Sequence, residues 1–517
     1  MPVLALDNLE RFEMMASLVA VLFAMAFGAC IGSLLNVLVY RLPLGLDVVT
    51  PTSRCPSCET HLTWRENIPV FGWLFLRGRC RFCRSPISPE YPLVEGFVAV
   101  LWAIVFLVLY AQGGRFFGID FGVLQPEWAA SGFKLTWPIF LVVVGLFSCL
   151  VAMTLVDAKT CFIPTPLTTT PVVLGVILHP LAAAWVQYKQ GGLPATAEGW
   201  NWAIATPGPQ GWWWIGASIG GVVGLVLANL LLAKRLIRRS FDGYEEWEKA
   251  ELAKAREAAA AAGTPPAASE PPARATNPHA GPLRILLGLV LFLVGLGVAA
   301  VFWPDAARVL PWAITLLVPT VGMWGIIQLT GDEPDTHPTD LWIQYPHARR
   351  EVLKEVVFLA PCISLALAGG MIAKQLAGPM VPLPNGTLGF TANAPLWLDV
   401  LAGVLMGYLI GGGAVWLMRI GGTLGFGREA IGLGDVHLMA GVGACLGWTD
   451  AVLGFFGSAF IGVFFWLLGL LASGKYRKAM PYGPYLAMGT MLVWLAKPGL
   501  ENLLTWLSKA SPPLSLP

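Results

Sequence analysis

Runs of about twenty consecutive apolar residues recur along almost the whole of this 517-residue chain. A helix needs roughly that many to cross the hydrocarbon layer of a bilayer, and in lipid each backbone polar group must be satisfied within its own element. The runs therefore restrict the chain to one class, an all-α polytopic membrane protein. About twelve candidate spans can be placed, at 16–40, 92–111, 136–156, 166–186, 212–233, 284–303, 309–328, 355–376, 396–417, 436–449, 451–473 and 483–498. The tenth is short and rich in glycine. Charged residues make up only 12%, about half the share of a soluble domain. Twenty-two tryptophans suit a protein with many membrane interfaces. The first run is too long for a cleavable signal peptide and ends in no small-residue cleavage site. No sustained basic face is present to bind nucleic acid.

The loops separate by charge. Arg41, Arg54, Arg65, Arg77, Arg79, Arg81 and Arg84 crowd the first loop, and Lys234, Arg235, Arg238 and Arg239 open another. Arg349, Arg350, Lys354, Arg419, Arg428, Lys475, Arg477 and Lys478 flank later helices. The intervening loops are poor in lysine and arginine. With twelve spans all basic loops fall on one side, which the positive-inside rule makes cytoplasmic, with both termini outside. The chain then divides into a first transmembrane helix (1–40), a cytoplasmic four-cysteine loop (41–91), a membrane core (92–239), an inserted region (240–395), a second part of the core (396–498) and a C-terminal tail (499–517). Within the insertion, 244–262 reads as a short exposed helix, followed by a Pro/Ala linker. The small-residue spacing of 216–232 echoes that of 401–417, as duplication or as shared helix-packing composition.

Two aspartates stand against this apolar background: Asp157 in "MTLVDAKTCFIPTPLT" and Asp435 in "IGLGDVHLMAG". They are 278 positions apart, yet the loop charges place both at the cytoplasmic membrane boundary. Ionisable groups at such depth are costly and usually functional. A helix cap explains Asp435 before its helix, but not Asp157 after its own, where the macrodipole is unfavourable. Two carboxylates sharing a proton fit an aspartic protease; they also fit a proton- or ion-coupled transporter. Gly432 and Gly434 permit irregular backbone beside Asp435 and a close approach of substrate.

Nine cysteines are present. Cys55, Cys58, Cys80 and Cys83 form two Cys-x-x-Cys pairs with 21 residues between, the pattern of a closed structural zinc site. His61 is a candidate substitute ligand. Cys30, Cys149, Cys161, Cys362 and Cys445 read as small buried hydrophobes.

Six segments in order resemble the bacterial prepilin peptidases, or type IV leader peptidases. They are "GSLLNVLVYRLP" (32–43), the two cysteine pairs with "ENIPV" between them, "YPLVE" (91–95), "VDAKTCFIPTPLT", "GLGDVHLMAGVGACLG" and "MPYGPYLAMG" (480–489), the last beside the family's Pro-Phe-Gly-Pro. The resemblance implies a core of about eight spans and a Gly-x-Gly-Asp intramembrane aspartic endopeptidase with Asp157 and Asp435 as its catalytic pair. It implies leader removal from type IV prepilins or pseudopilins at the cytoplasmic face of the inner membrane. Many such enzymes then methylate the new N-terminus with S-adenosylmethionine. A relative without protease activity, acting as methyltransferase or scaffold, is the remaining alternative. The chain departs from the family at Thr165, commonly aspartate or asparagine, and at His437, commonly lysine. It is also longer by about four spans, an even number that keeps Asp435 on the side of Asp157. His337 and His347 lie in a polar loop of the insertion, as solvated residues or metal ligands.

Overall fold

The computed structural model describes residues 8–50, 53–111, 115–116, 119–160, 162–189, 202–244, 347–382, 388–427, 429–473 and 482–509, with scattered positions between 246 and 322. Among them run twelve α-helices: α1 (Asn8–Arg41), α2 (Phe71–Phe75), α3 (Glu90–Tyr110), α4 (Phe133–Thr160), α5 (Thr165–Lys189), α6 (Trp212–Ala233), α7 (Ala348–Leu376), α8 (Leu396–Phe426), α9 (Leu433–Leu446), α10 (Trp448–Ser473), α11 (Gly483–Leu495) and α12 (Lys497–Ser508). The described strands form two small antiparallel hairpins, β1 (Arg115–Phe116) with β2 (Ile119–Asp120) and β3 (Met380–Pro382) with β4 (Leu388–Phe390).

The all-α class expected from the apolar runs holds. Eight of these helices, α1, α3 to α8 and α10, are long and apolar enough to cross a membrane. α9 and α11 are apolar but shorter, at 14 and 13 residues. The expected spans at 284–303 and 309–328 lie outside the described residues apart from two isolated positions. The tail expected from 499 begins inside α12, which exposes Leu503 and Trp506.

Helix α4 is the centre. Its most apolar stretch is 89% buried, against 28% for α1 and 11% for α7. α1, α3, α5, α9 and α11 all pack on it. Phe147, Leu150, Met153 and Leu155 are fully enclosed there, so from 146 to 157 this helix meets neighbours on every side, while Trp137 and Leu141 stay exposed nearer its start. The Trp102 indole donates to Ser148 Oγ at 3.0 Å, pinning α3 to α4. Phe106, Tyr110, Phe133 and Phe140 make a cluster of tilted and edge-to-face rings at one end of the same contact.

α6 and α7 form a tight pair that meets the remainder chiefly through α8. Gly216 and Gly220 of α6 lie against the backbone of Gly369 and Leu365 of α7. Such small-residue contacts let helix axes approach where no hydrophobic drive separates helix from lipid. The outer face of α7 exposes Ile363, Leu367 and Met371, spaced about one turn apart, as a lipid-facing stripe does. α8 uses glycines in the same way toward other partners: Gly407 meets Gly443 of α9, and Gly403 meets the backbone of Ala205. The echo between 216–232 and 401–417 thus coincides with two close-packed helix contacts.

Candidate active site

Asp157 lies within the last turn of α4, which continues to Thr160, and not beyond the helix as expected. The Thr160 hydroxyl donates back to Val156 O and closes that turn. The carboxylate is buried, and its Oδ2 accepts the backbone N–H of Gly483 at 3.1 Å. That donor, at the start of α11, offsets the unfavourable C-terminal dipole of α4. A β-carbon at Gly483 would stand 2.7 Å from the same oxygen, so a side chain here would displace the Asp157 carboxylate.

Asp435 is the third residue of α9, not its N-cap; Gly432 occupies the cap. A carboxylate in a first turn sits at the favourable end of the helix dipole. Asp435 is buried, takes a backbone hydrogen bond from Gly432, and interacts electrostatically with Asp157. The loop that follows Asp157 completes the approach, because Ile163 packs directly on Gly434. Tyr482, just before α11, lies within electrostatic range of Asp435 and shares a 2.7 Å hydrogen bond with Ser458 of α10. His437 is exposed on α9, and Thr165 is exposed at the first position of α5. His347 caps α7, while His337 and Cys161 lie outside the described residues.

Sequence reasoning picked out the 480–489 segment by resemblance but missed that its Gly483 and Tyr482 face the aspartates, and it missed the surroundings of Arg419. Arg419 does not flank a helix. α8 continues past it to Phe426, and Arg419 is the bulkiest of the fully enclosed side chains, at 1% exposure. Its guanidinium pairs with Glu355 of α7 at 3.0 Å, with Glu429, and with the carbonyl of Ile431. The helix survives beyond the apolar run because a paired guanidinium is tolerated inside protein where a lone one is not. The signal was present in "WLMRIGG", where a single arginine interrupts an otherwise apolar helix. Among the remaining cysteines, Cys149 and Cys445 are buried as expected, Cys362 is half-buried, and Cys30 is exposed on α1.

The four-cysteine loop builds a second site from two copies of one turn. In each, the first cysteine N–H bonds to the carbonyl five residues on, Cys55 to Thr60 and Cys80 to Ser85. The residue after the second cysteine is left-handed in both, Glu59 at φ 55° and Arg84 at φ 62°. Backbone bridges Arg54–His61 and Arg79–Pro86 close the two turns, so His61 serves the turn through its backbone, and the four-residue cluster is all cysteine. The four sulfurs lie within 4.8 Å of one another, with Cys55–Cys83 at 3.8 Å and Cys58–Cys80 at 4.0 Å. Zinc–sulfur bonds of about 2.3 Å in a tetrahedron separate sulfurs by roughly 3.8 Å, so the set fits such a cation. The backbone amides of Cys58 and Ser57 push the Cys55 thiol down to about 6, and the Ser85 hydroxyl and amide lower Cys83, both favouring thiolate. The loop is moored to the bundle end that carries Asp157. Val70 N donates to Glu95 at 2.6 Å, and Lys159, two residues after Asp157, pairs with Glu90 of α3.

Comparison with known proteins agrees with this layout. A family profile described as "Bacterial Peptidase A24 N-terminal domain" matches residues 26–109, the stretch from α1 through the cysteine loop into α3. A prepilin leader peptidase/N-methyltransferase of Klebsiella pneumoniae is 34% identical over 181 residues, covering 34% of this chain and 68% of the relative. This chain belongs to the prepilin leader peptidase/N-methyltransferase family. The family member from Myxococcus xanthus (strain DK1622) is 51% identical over 80 residues, 16% of this chain and 24% of the relative. The member from Aeromonas hydrophila is 32% identical over 185 residues, 31% of this chain and 54% of the relative. The chain thus spans about a quarter and about half of the length of these two prepilin leader peptidase/N-methyltransferases. No solved structure matches it.

Proposed function

We propose that this chain is an intramembrane aspartic endopeptidase that removes the leader from type IV prepilins or pseudopilins at the cytoplasmic face of the bacterial inner membrane. The observation that carries the reading is the convergence of Asp157 and Asp435, 278 positions apart, as two buried carboxylates in electrostatic contact. Helix lengths add to it. α9 and α11 rise about 21 Å and about 20 Å, well short of a roughly 30 Å hydrocarbon layer. Asp435 and Gly483 both stand at the starts of these short helices, which fits a site recessed below a bilayer surface.

In this mechanism one carboxylate takes a proton from water, whose oxygen attacks the scissile carbonyl carbon. The other, protonated, hydrogen-bonds the carbonyl oxygen, and the C–N bond then breaks as the leaving amine gains a proton. The Gly483 amide holds the Asp157 carboxylate, and the glycines before Asp435 leave room for an extended substrate backbone. The basic leader stays in the cytoplasm among the headgroups, and the apolar pilin segment lies along the bundle in lipid.

Zinc held by Cys55, Cys58, Cys80 and Cys83 would be structural, because four protein ligands leave no open position. The relatives are named N-methyltransferases as well, and we assign that methylation to the new N-terminus. S-adenosylmethionine would supply the methyl group. The reading is tested by co-expression with a prepilin substrate: leader removal should stop in Asp157→Asn and Asp435→Asn, and cleavage at the parental rate in both would sink it. Mass spectrometry of the mature N-terminus tests methylation.

A further inference from the structure

The most heavily built polar cluster among the described residues lies outside the aspartate pair, where the α6–α7 pair meets α8. Arg419 of α8 is its centre. The Glu355 carboxylate, 3% exposed, accepts from Arg419 Nε at 3.1 Å and Nη2 at 3.0 Å. Glu355 also accepts from the Trp416 indole at 2.7 Å and the Ser240 hydroxyl at 3.1 Å. Phe241 places its ring 5.3 Å from the guanidinium carbon, and its N–H donates to Glu351 at 2.9 Å. Glu355 from within α7 and Phe241 from the segment that follows α6 therefore grip one guanidinium.

The remaining donor of that guanidinium, Nη1, binds Glu429 and the carbonyl of Ile431. Ile431 immediately precedes Gly432, the N-cap of α9, and lies four residues before Asp435. Arg419 is also in electrostatic range of Asp435 itself. A buried ion pair is a poor source of stability, since its desolvation offsets its attraction. Its use here is geometric. The entry into α9 ends on Gly432, which has no side chain of its own to fix it, whereas a planar fork held on three sides admits one position.

We propose that Arg419, oriented by Glu355 of the α6–α7 pair, is a positioning residue that holds the Ile431–Gly432 entry into α9 and thereby sets the place of Asp435. The inference rests on the aspartic reading above. It gives the segment between α6 and α8 a task in the reaction: α7 supplies the carboxylate that aims the fork.

The test is kinetic, on the full chain in membranes with a prepilin peptide containing its apolar segment. Arg419→Lys keeps the cation but cannot bridge Glu355, Glu429 and Ile431 together. Its kcat should fall on the order of 100-fold with KM within about twofold of the parent, the signature of a displaced reacting group. Arg419→Met with Glu355→Gln and Glu429→Gln removes the fork and both of its carboxylate partners together, so a merely structural cluster would be replaced at little cost. The triple variant should keep its thermal midpoint and lose kcat to the same order. Parental kcat in either variant, or a loss confined to KM, would overturn the proposal. Asp435→Asn is measured alongside. If it cleaves normally, the catalytic reading has failed; if it is dead while the Arg419 variants are normal, only the positioning role has failed.

Discussion

The cysteine loop and the aspartate pair solve opposite problems. The four cysteines lie within 29 residues of sequence, and each pair is held by its own turn, with its own backbone amides on sulfur. Removing the bundle would leave both turns with every hydrogen bond that shapes them. The aspartates have no such local frame. Asp157 depends on an amide from 326 positions away, and Asp435 on a loop gripped by a side chain from another helix. A metal site can be carried by a short segment because the cation organises its own ligands. A pair of like-charged carboxylates repels, so the rest of the fold must hold it together.

Substitution should separate the two regions. The largest effect is expected from Asp435→Asn or Asp157→Asn, which should cut leader removal at least about 10³-fold with metal content unchanged. Gly483→Ala comes next. The added methyl meets Asp157 Oδ2 and would displace that carboxylate from the Gly483 amide, so kcat should drop on the order of 10²-fold. Restored activity in that variant would mean that the amide on Asp157 is dispensable. Cys55→Ser with Cys80→Ser should reduce bound zinc from about one per chain to none by elemental analysis. Cleavage should persist within about tenfold, because the loop reaches the bundle through Glu95 and Glu90 and not through the carboxylates. If the cysteine variant were as inactive as Asp435→Asn, the two regions would be one functional unit. The smallest effect is expected from His437→Lys. His437 is exposed on α9, so the change should alter kcat by no more than about threefold, measured on the same substrate.

Legibility followed the same division. "CPSC" and "CRFC" announced a four-cysteine cluster able to hold a metal because ligand spacing is a local property. Asp157 and Asp435 were visible as charges in apolar surroundings, and loop arginines put them at one depth. Their immediate partners were not visible. Gly483 stood in a segment marked only by resemblance, and its use depends on which helix it touches. Arg419 was counted as a flank because the apolar run stops near it, whereas a carboxylate 64 positions earlier pays its burial and lets α8 run on. Asp435 was placed before its helix because Gly432 and Gly434 suggest a loop; the structure starts the helix between them.

By itself the sequence determined the solvent and the elements. Its apolar runs require membrane helices, since lipid offers the backbone no hydrogen bonds, and its paired cysteines require a local turn geometry. Its loop charges gave the expectation that the two aspartates share a side, with an even number of spans between them. Only the tertiary structure decided which helix encloses which. It put α4 at the centre, set α6 and α7 against each other by their glycines, and brought Gly483 and Arg419 to the two carboxylates. Those choices depend on shape matching between surfaces far apart in the chain, and no local pattern of residue types contains that information.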